Sequence, residues 1–124
     1  MNPRLPTFTV ALLATIASIS PTNAVQGVLS STTVLRTMVN SGQYYGGCMA
    51  QLGKAINTAT NSPNCPGNWV SFSCVGLYTS KEQAFHMLDH AQLALALNKS
   101  VSVTVEDTKK HNDYCFAQRI EIIK

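Results

Sequence analysis

The apolar residues of this chain recur every second position, then every three to four, then every second again, and those changes mark its elements. From Trp69 to Tyr78, Val70, Phe72, Cys74 and Tyr78 share one face of an extended chain and Ser71 and Ser73 the other, the pattern of a strand with one side on a core. Tyr44 to about Ile56 reads the same way, with Cys48, Ala50, Leu52 and Ile56 on one face, and Gly46-Gly47 marks a bulge or a close backbone approach. Upstream, Val28 to Val39 is rich in Thr, Val, Leu and Ser and reads as a first strand, ended by the Asn40-Ser41-Gly42 turn. Asn57 to Asn68 holds Asn61, Ser62, Pro63, Pro66 and Gly67 and reads as a loop.

At Thr79 to Gln83 two capping boxes overlap, Thr79 with Glu82 and Ser80 with Gln83. Beyond them Ala84, Met87, Leu88, Ala91, Ala94 and Leu95 recur at helical spacing to about Leu97, and Asn98 supplies a stop; Glu82, Asp89 and Gln92 are left for water. Val101 to Val105 alternates as a fourth strand, and Thr108 to Asp113 turns the chain. Tyr114 to Ile123 follows as a fifth strand, with Tyr114, Phe116, Ile120 and Ile122 on one face. The expected class is mainly β with one helix. Five strands with the helix between the third and fourth is the order of an OB-fold-like five-stranded Greek-key barrel, its helix plugging one end. An α+β sandwich of different strand order is the alternative.

Residues 1–24 change how the cysteines are read. They carry an early cation at Arg4, an apolar run from Phe8 to Ile19, a breaker at Pro21 and a Thr22-Asn23-Ala24 end with small residues three and one before the cut, which is the form of a signal peptide. The run is shorter than the roughly 20 residues that cross a bilayer, so no membrane span is expected. The chain thus divides into a leader, 1–24, and a single domain, 25–124, secreted or periplasmic. In such a compartment an even set, Cys48, Cys65, Cys74 and Cys115, favours two disulfides over a metal site. Three pairings exist. Cys48 and Cys74 lie on the buried faces of strands expected to neighbour each other, which leaves Cys65 for Cys115. Each loop would contribute roughly 3 to 4 kcal/mol in the chain-entropy model.

The formal charge of +3, which falls to +2 when Arg4 leaves with the leader, supplies no dense basic face, so nucleic acid is not an expected partner. Charged residues make up only 12% of the chain, a composition common in exported β-rich domains.

Several of these stretches together resemble the B subunits of the five-B-subunit bacterial toxins, in the branch of subtilase cytotoxin and typhoid toxin. They are Tyr44-Tyr45-Gly46-Gly47-Cys48, Ser73-Cys74, the run Thr79 to Gln92 with its Ser-Lys and Leu-Asp elements, and Asn98 to Val105. The resemblance covers about Tyr44 to Glu106; the chain departs from it in a longer Cys-Pro-Gly loop and in its Lys-Lys-His turn. It implies an OB-fold, a pentamer ring, cell-surface glycan binding without catalysis, and a toxin A subunit as partner. The family's sugar pocket lies just before the first cysteine strand, which points here to Ser41, Gln43, Tyr44 and Tyr45. Hydroxyls and amides suit a sugar's donors and acceptors, and an aromatic face covers its C–H surface.

Other chemistry is thin. His86 and His90 lie one helical turn apart, but two ligands do not make a metal site and the Glu of H-E-x-x-H is missing. No G-x-S-x-G elbow occurs, all four cysteines are expected to be oxidised, and no cofactor is expected. Trp69 is placed to stack on a ligand or to pack, and Lys109-Lys110-His111 is expected in the loop between the last two strands. Two function classes follow: a glycan-binding, ring-forming module, and a free-standing periplasmic protein that binds another protein, such as an enzyme inhibitor.

Overall fold

The computed structural model describes residues 23–124, residues 17–21 and Pro3. Apart from its last three positions, the apolar run of the expected leader lies outside the described residues. The described chain is mainly β with one helix: β1 (Gln26–Val39), β2 (Cys48–Leu52), β3 (Trp69–Ser71), α1 (Lys81–Leu97), β4 (Ser100–His111) and β5 (Tyr114–Ile123), with single turns of 3-10 helix at Tyr44–Gly47 and Ile56–Thr58. Among the described residues no helix is long and apolar enough to cross a membrane.

Pairings run β1-β2-β3-β5-β4 and return to β1, which pairs antiparallel with both β2 and β4. All contacts are antiparallel except β3 with β5, which run parallel through Ser71 and Phe116. The sheet encloses Leu29, Val34, Ala50, Leu52, Val70, Phe72, Val101, Val103, Val105 and Ile120. Helix α1 lies against β1 and β5 and adds Ala84, Leu88, Ala91 and Ala94 to the same core. Three alanines in that stripe let the helix approach the sheet closely. Leu95, expected in the stripe, is exposed, although its neighbour Ala94 is buried.

Both helix ends follow from local chemistry. Ser80 is the N-cap, its Oγ accepting the Gln83 N–H at 3.1 Å, so the overlapping Thr79 box is not the one used. Asn98 takes the left-handed conformation (φ 50°), and its N–H and that of Lys99 return to carbonyls of the last turn. Disulfides join Cys48 to Cys74 and Cys65 to Cys115, each with Cα atoms 5.6 Å apart.

The strand edges differ from the sequence reading in several places, and the second strand, expected to reach about Ile56, ends at Leu52, with Ile56–Thr58 a turn of 3-10 helix. The second strand was expected from Tyr44, but Tyr45 and Gly46 have φ of 56° and 72°, so the chain turns there and β2 begins only at Cys48. The third was expected to reach Tyr78; β3 ends at Ser71, because Ser73 at φ 61° breaks the extension. The fourth was expected to turn at Thr108, yet β4 runs to His111 and the reversal is made by Asn112 and Asp113, both at positive φ.

Bulges also invert the faces. In β5 the register with β4 shifts between Ala117 and Arg119, so Gln118 is extra. Cys115 and Ala117 therefore point inward together with Ile120, whereas Tyr114 and Phe116, expected on the face of Ile120, stand on the outside.

Candidate functional site

The loop that carries the candidate residues hangs between two tight returns. Asn40 N–H donates to the Gly47 carbonyl at 2.8 Å and Gly46 N–H to the Gln43 carbonyl at 3.1 Å. Positive φ at Gly42, Tyr45, Gly46 and Gly47 folds eight residues into this small space. Ser41, Gln43 and Tyr44 are exposed, Tyr44 by 70%, whereas Tyr45 is 37% exposed.

What holds the loop is a polar cluster on the outer face of β3. Ser71 and Ser73 point away from the core, as their parity requires, but both are fully buried beneath the loop. Ser71 Oγ donates to the Tyr45 carbonyl at 2.8 Å and accepts the Ser73 N–H at 3.2 Å. Ser73 Oγ accepts the Tyr78 N–H at 3.1 Å and lies 2.9 Å from His111 Nε2. Asn112 Oδ1 accepts the Tyr45 N–H at 2.7 Å, so the β4–β5 turn grips the loop from the other side. His111 was expected in the loop between the last two strands; it is buried at the end of β4, its ring 4.9 Å from that of Tyr78. Burial pushes its pKa below the ordinary imidazole value. Tyr78 continues the layer onto Phe116, at 5.7 Å between ring centroids, and its hydroxyl donates to the Lys110 carbonyl at 2.9 Å.

The loop separates two kinds of surface. On one side Tyr45, Trp69 and Tyr114, with Met38 and Met49, line a recess of about 190 Å³, in which the rings of Tyr45 and Tyr114 meet edge to face at 5.8 Å. On the other, Gln43 borders two depressions of mixed lining, one of about 280 Å³ with His111, Val75 and Leu77 and one of about 390 Å³ with Val39, Val75, Lys81 and Phe85. The four candidates are therefore divided. Tyr45 belongs to the aromatic recess and Gln43 to the opposite side, while Ser41 and Tyr44 line none of these three cavities. Trp69, singled out by sequence as a stacking candidate, is in the recess. Met38, Met49 and Tyr114 were missed there: Met49 falls on the face opposite Cys48 and Ala50, which was not read as a site, and Tyr114 was read on the face of Ile120, a parity that the bulge at Gln118 reverses.

Among the described residues no group of three or more His, Cys, Asp or Glu side chains is placed to hold a metal ion. His90 Nδ1 lies 2.9 Å from the His86 carbonyl, and His86 faces Glu82 at 3.8 Å, so the two rings are engaged separately. The Ser73–His111 contact has the atoms of a nucleophile and a base. The serine is wholly enclosed, however, and its oxygen already accepts a backbone N–H. Lys109, also expected in a loop, lies on β4 and pairs with the buried Glu106 carboxylate at 3.1 Å.

Comparison with known proteins finds no matching family model, no matching curated protein and no matching solved structure.

Proposed function

We propose that this chain is an exported, non-catalytic binding module of the OB-fold type, whose ligand is a glycan held at the aromatic recess and the 40–47 loop. The observation that carries the reading is the convergence of Tyr45, Trp69 and Tyr114 around one recess beside a polar, solvent-facing loop. Aromatic rings cover the C–H face of a sugar, and the exposed Ser41 hydroxyl on the neighbouring loop suits the sugar's hydroxyls, while Asn40 and Gln43 border the depressions on the loop's other side. The pairing order, in which β1 joins both β2 and β4, supports a five-stranded barrel. Two disulfides support an oxidising compartment, secreted or periplasmic. The enclosed Ser73 hydroxyl supports a binding role over hydrolysis. The resemblance to toxin B subunits adds a homo-pentamer and an A-subunit partner to the proposal.

A glycan array on the mature protein, with Trp69→Ala and Gln43→Ala as comparisons, tests it. Binding that falls at least tenfold in Trp69→Ala at unchanged circular dichroism, roughly the loss of one good contact, supports the recess. Absence of binding to any glycan, together with a monomeric mass in solution, overturns it.

One observation favours the second reading, a protein-binding module. Val39, Leu77 and Phe85 are exposed large apolar side chains next to the two depressions that Gln43 borders, a surface suited to a protein partner. Capture of a periplasmic protein that Phe85→Ser abolishes, with no glycan bound, would support it.

A further inference from the structure

Asp107 sits where β4 leaves its register with β5, between the pairs Glu106 with Phe116 and Lys110 with Cys115. Its carboxylate turns toward the start of the domain. One oxygen accepts the Val25 N–H at 2.9 Å, the other accepts the Asn64 N–H at 3.2 Å, and the Asp107 N–H returns to the Val25 carbonyl at 3.1 Å. Among the described residues no ion pair includes Asp107.

Val25 is also where the chain changes character. Residues 17–21, Asn23 and Ala24 are exposed, whereas Val25 is half-buried and Gly27 is buried. From Gln26 onward the segment is held on both sides. It pairs with Glu106 and Val105 of β4, and the loop beyond Ala59 binds it through Thr60 with Val28 and Asn61 with Gln26. The bond after the small residue at position 24, read from sequence as the cleavage point, thus lies at the boundary between free and anchored chain.

We propose that cleavage after Ala24 delivers a new α-ammonium group at Val25 to the Asp107 carboxylate, so that leader removal itself adds an ion pair that fastens β1 to β4 and to the loop before Cys65. The proposal rests on the export reading above. In the step, a leader peptidase adds water across the Ala24–Val25 amide. The Ala24 carbonyl carbon takes the hydroxyl as its bond to nitrogen breaks, the Val25 nitrogen takes water's other proton to become an amine, and the new carboxyl group then gives its proton to that amine, leaving a carboxylate and an ammonium at neutral pH. A neutral N–H donor to Asp107 is thereby replaced by a charged one, and charge-assisted hydrogen bonds are the stronger kind. The precursor, with an amide at this position, lacks that interaction.

The full chain is expressed in a secretion-competent bacterial host, and the exported product is weighed and sequenced from its N-terminus. Its melting is then compared with that of a chain that begins Asn23-Ala24-Val25, each with and without Asp107→Asn, which keeps an acceptor but removes the charge. The expected product begins at Val25. It melts about 2–6 °C above the two-residue-longer chain, the range for one partly buried ion pair in a domain of this size, and in the Asp107→Asn pair the difference falls below about 1 °C. An undiminished difference in Asp107→Asn, or equal melting of the two wild-type chains, overturns the capture while leaving export intact. An uncleaved product overturns the export reading and this inference together.

Discussion

Replacing Gly46 by alanine isolates what the packing of the 40–47 loop contributes. The substitution has two consequences. Gly46 has φ of +72°, in the left-handed region, where a Cβ costs about 1–2 kcal/mol. The added methyl also falls 2.6 Å from His111 Cδ2 and 2.9 Å from Cγ, and clashes with Ser71 Oγ. Neither neighbour is a flexible chain end. His111 is held by Ser73 and by the Tyr78 ring, and Ser71 by its bond to the Tyr45 carbonyl. Overpacking of a held site costs a further 1–3 kcal/mol or so, for a total of about 2–5 kcal/mol out of the roughly 5–15 that a domain has. Gly42 is the control, because its φ is +87° but nothing lies within 4 Å of an added Cβ. Gly42→Ala should therefore cost only the backbone part, about 1–2 kcal/mol. Urea unfolding of the oxidised proteins, followed by far-ultraviolet circular dichroism, gives both values provided that m is unchanged. If the two variants agree within about 0.5 kcal/mol, a tenth of the larger effect expected, the loop is not packed on His111 and Ser71 as argued. Gly46→Ala should also weaken any ligand held by Tyr45, whereas Gly42→Ala should do so much less.

Leu88→Ala should destabilise by about 2–5 kcal/mol, since Leu88 is buried between α1 and the sheet, and Asp89→Ala by well under half of that; equal denaturant midpoints would contradict the phase of the helix. Because burial lowers the His111 pKa, the unfolded chain binds this proton at higher pH than the folded one. Its contribution is fully present above the unfolded value of about 6.5 and is lost as pH falls through the lower folded value; unfolding midpoints measured from neutral to mildly acid pH should show a slope that His111→Gln reduces, and parallel slopes would refute it. Replacing Cys65 and Cys115 together by alanine opens a loop of separation 50, and replacing Cys48 and Cys74 one of separation 26. The first pair should lose about 4 kcal/mol and the second slightly less in the chain-entropy model, and a double variant as stable as the parent by denaturant melt would refute that account.

Much of the architecture was legible because it depends on neighbours in sequence. The 3.6-residue recurrence from Ala84 to Ala94, bracketed by Ser80 and Asn98, is a local signal, and the helix starts and stops at those residues. Alternation marked the fourth strand in Val101 to Val105 and the fifth from Tyr114, but the turn read at Thr108 to Asp113 is made only by Asn112 and Asp113, so β4 runs on to His111. Cys48 and Cys74, read on the buried faces of neighbouring strands, are joined, although Cys74 lies beyond the end of β3.

The site was legible only in part. Tyr45 and Trp69 could be named as aromatic candidates, but nothing local says that Tyr114 joins them, since its direction is set by an extra residue at Gln118 that exists only relative to β4. In the same way Ser71 and Ser73 were read on the face away from the core, and their parity is as read, yet an upstream loop covers them; the Ser71 hydroxyl satisfies that loop's Tyr45 carbonyl, 26 positions away, and the Ser73 hydroxyl accepts the Tyr78 N–H. Spacing and caps thus determined which segments are strands or helix and which way most side chains point, because those follow from the geometry of a single chain segment. Only the tertiary structure decided where the ladders slip and which polar groups are sealed beneath another segment, because register and burial are properties of two segments in contact.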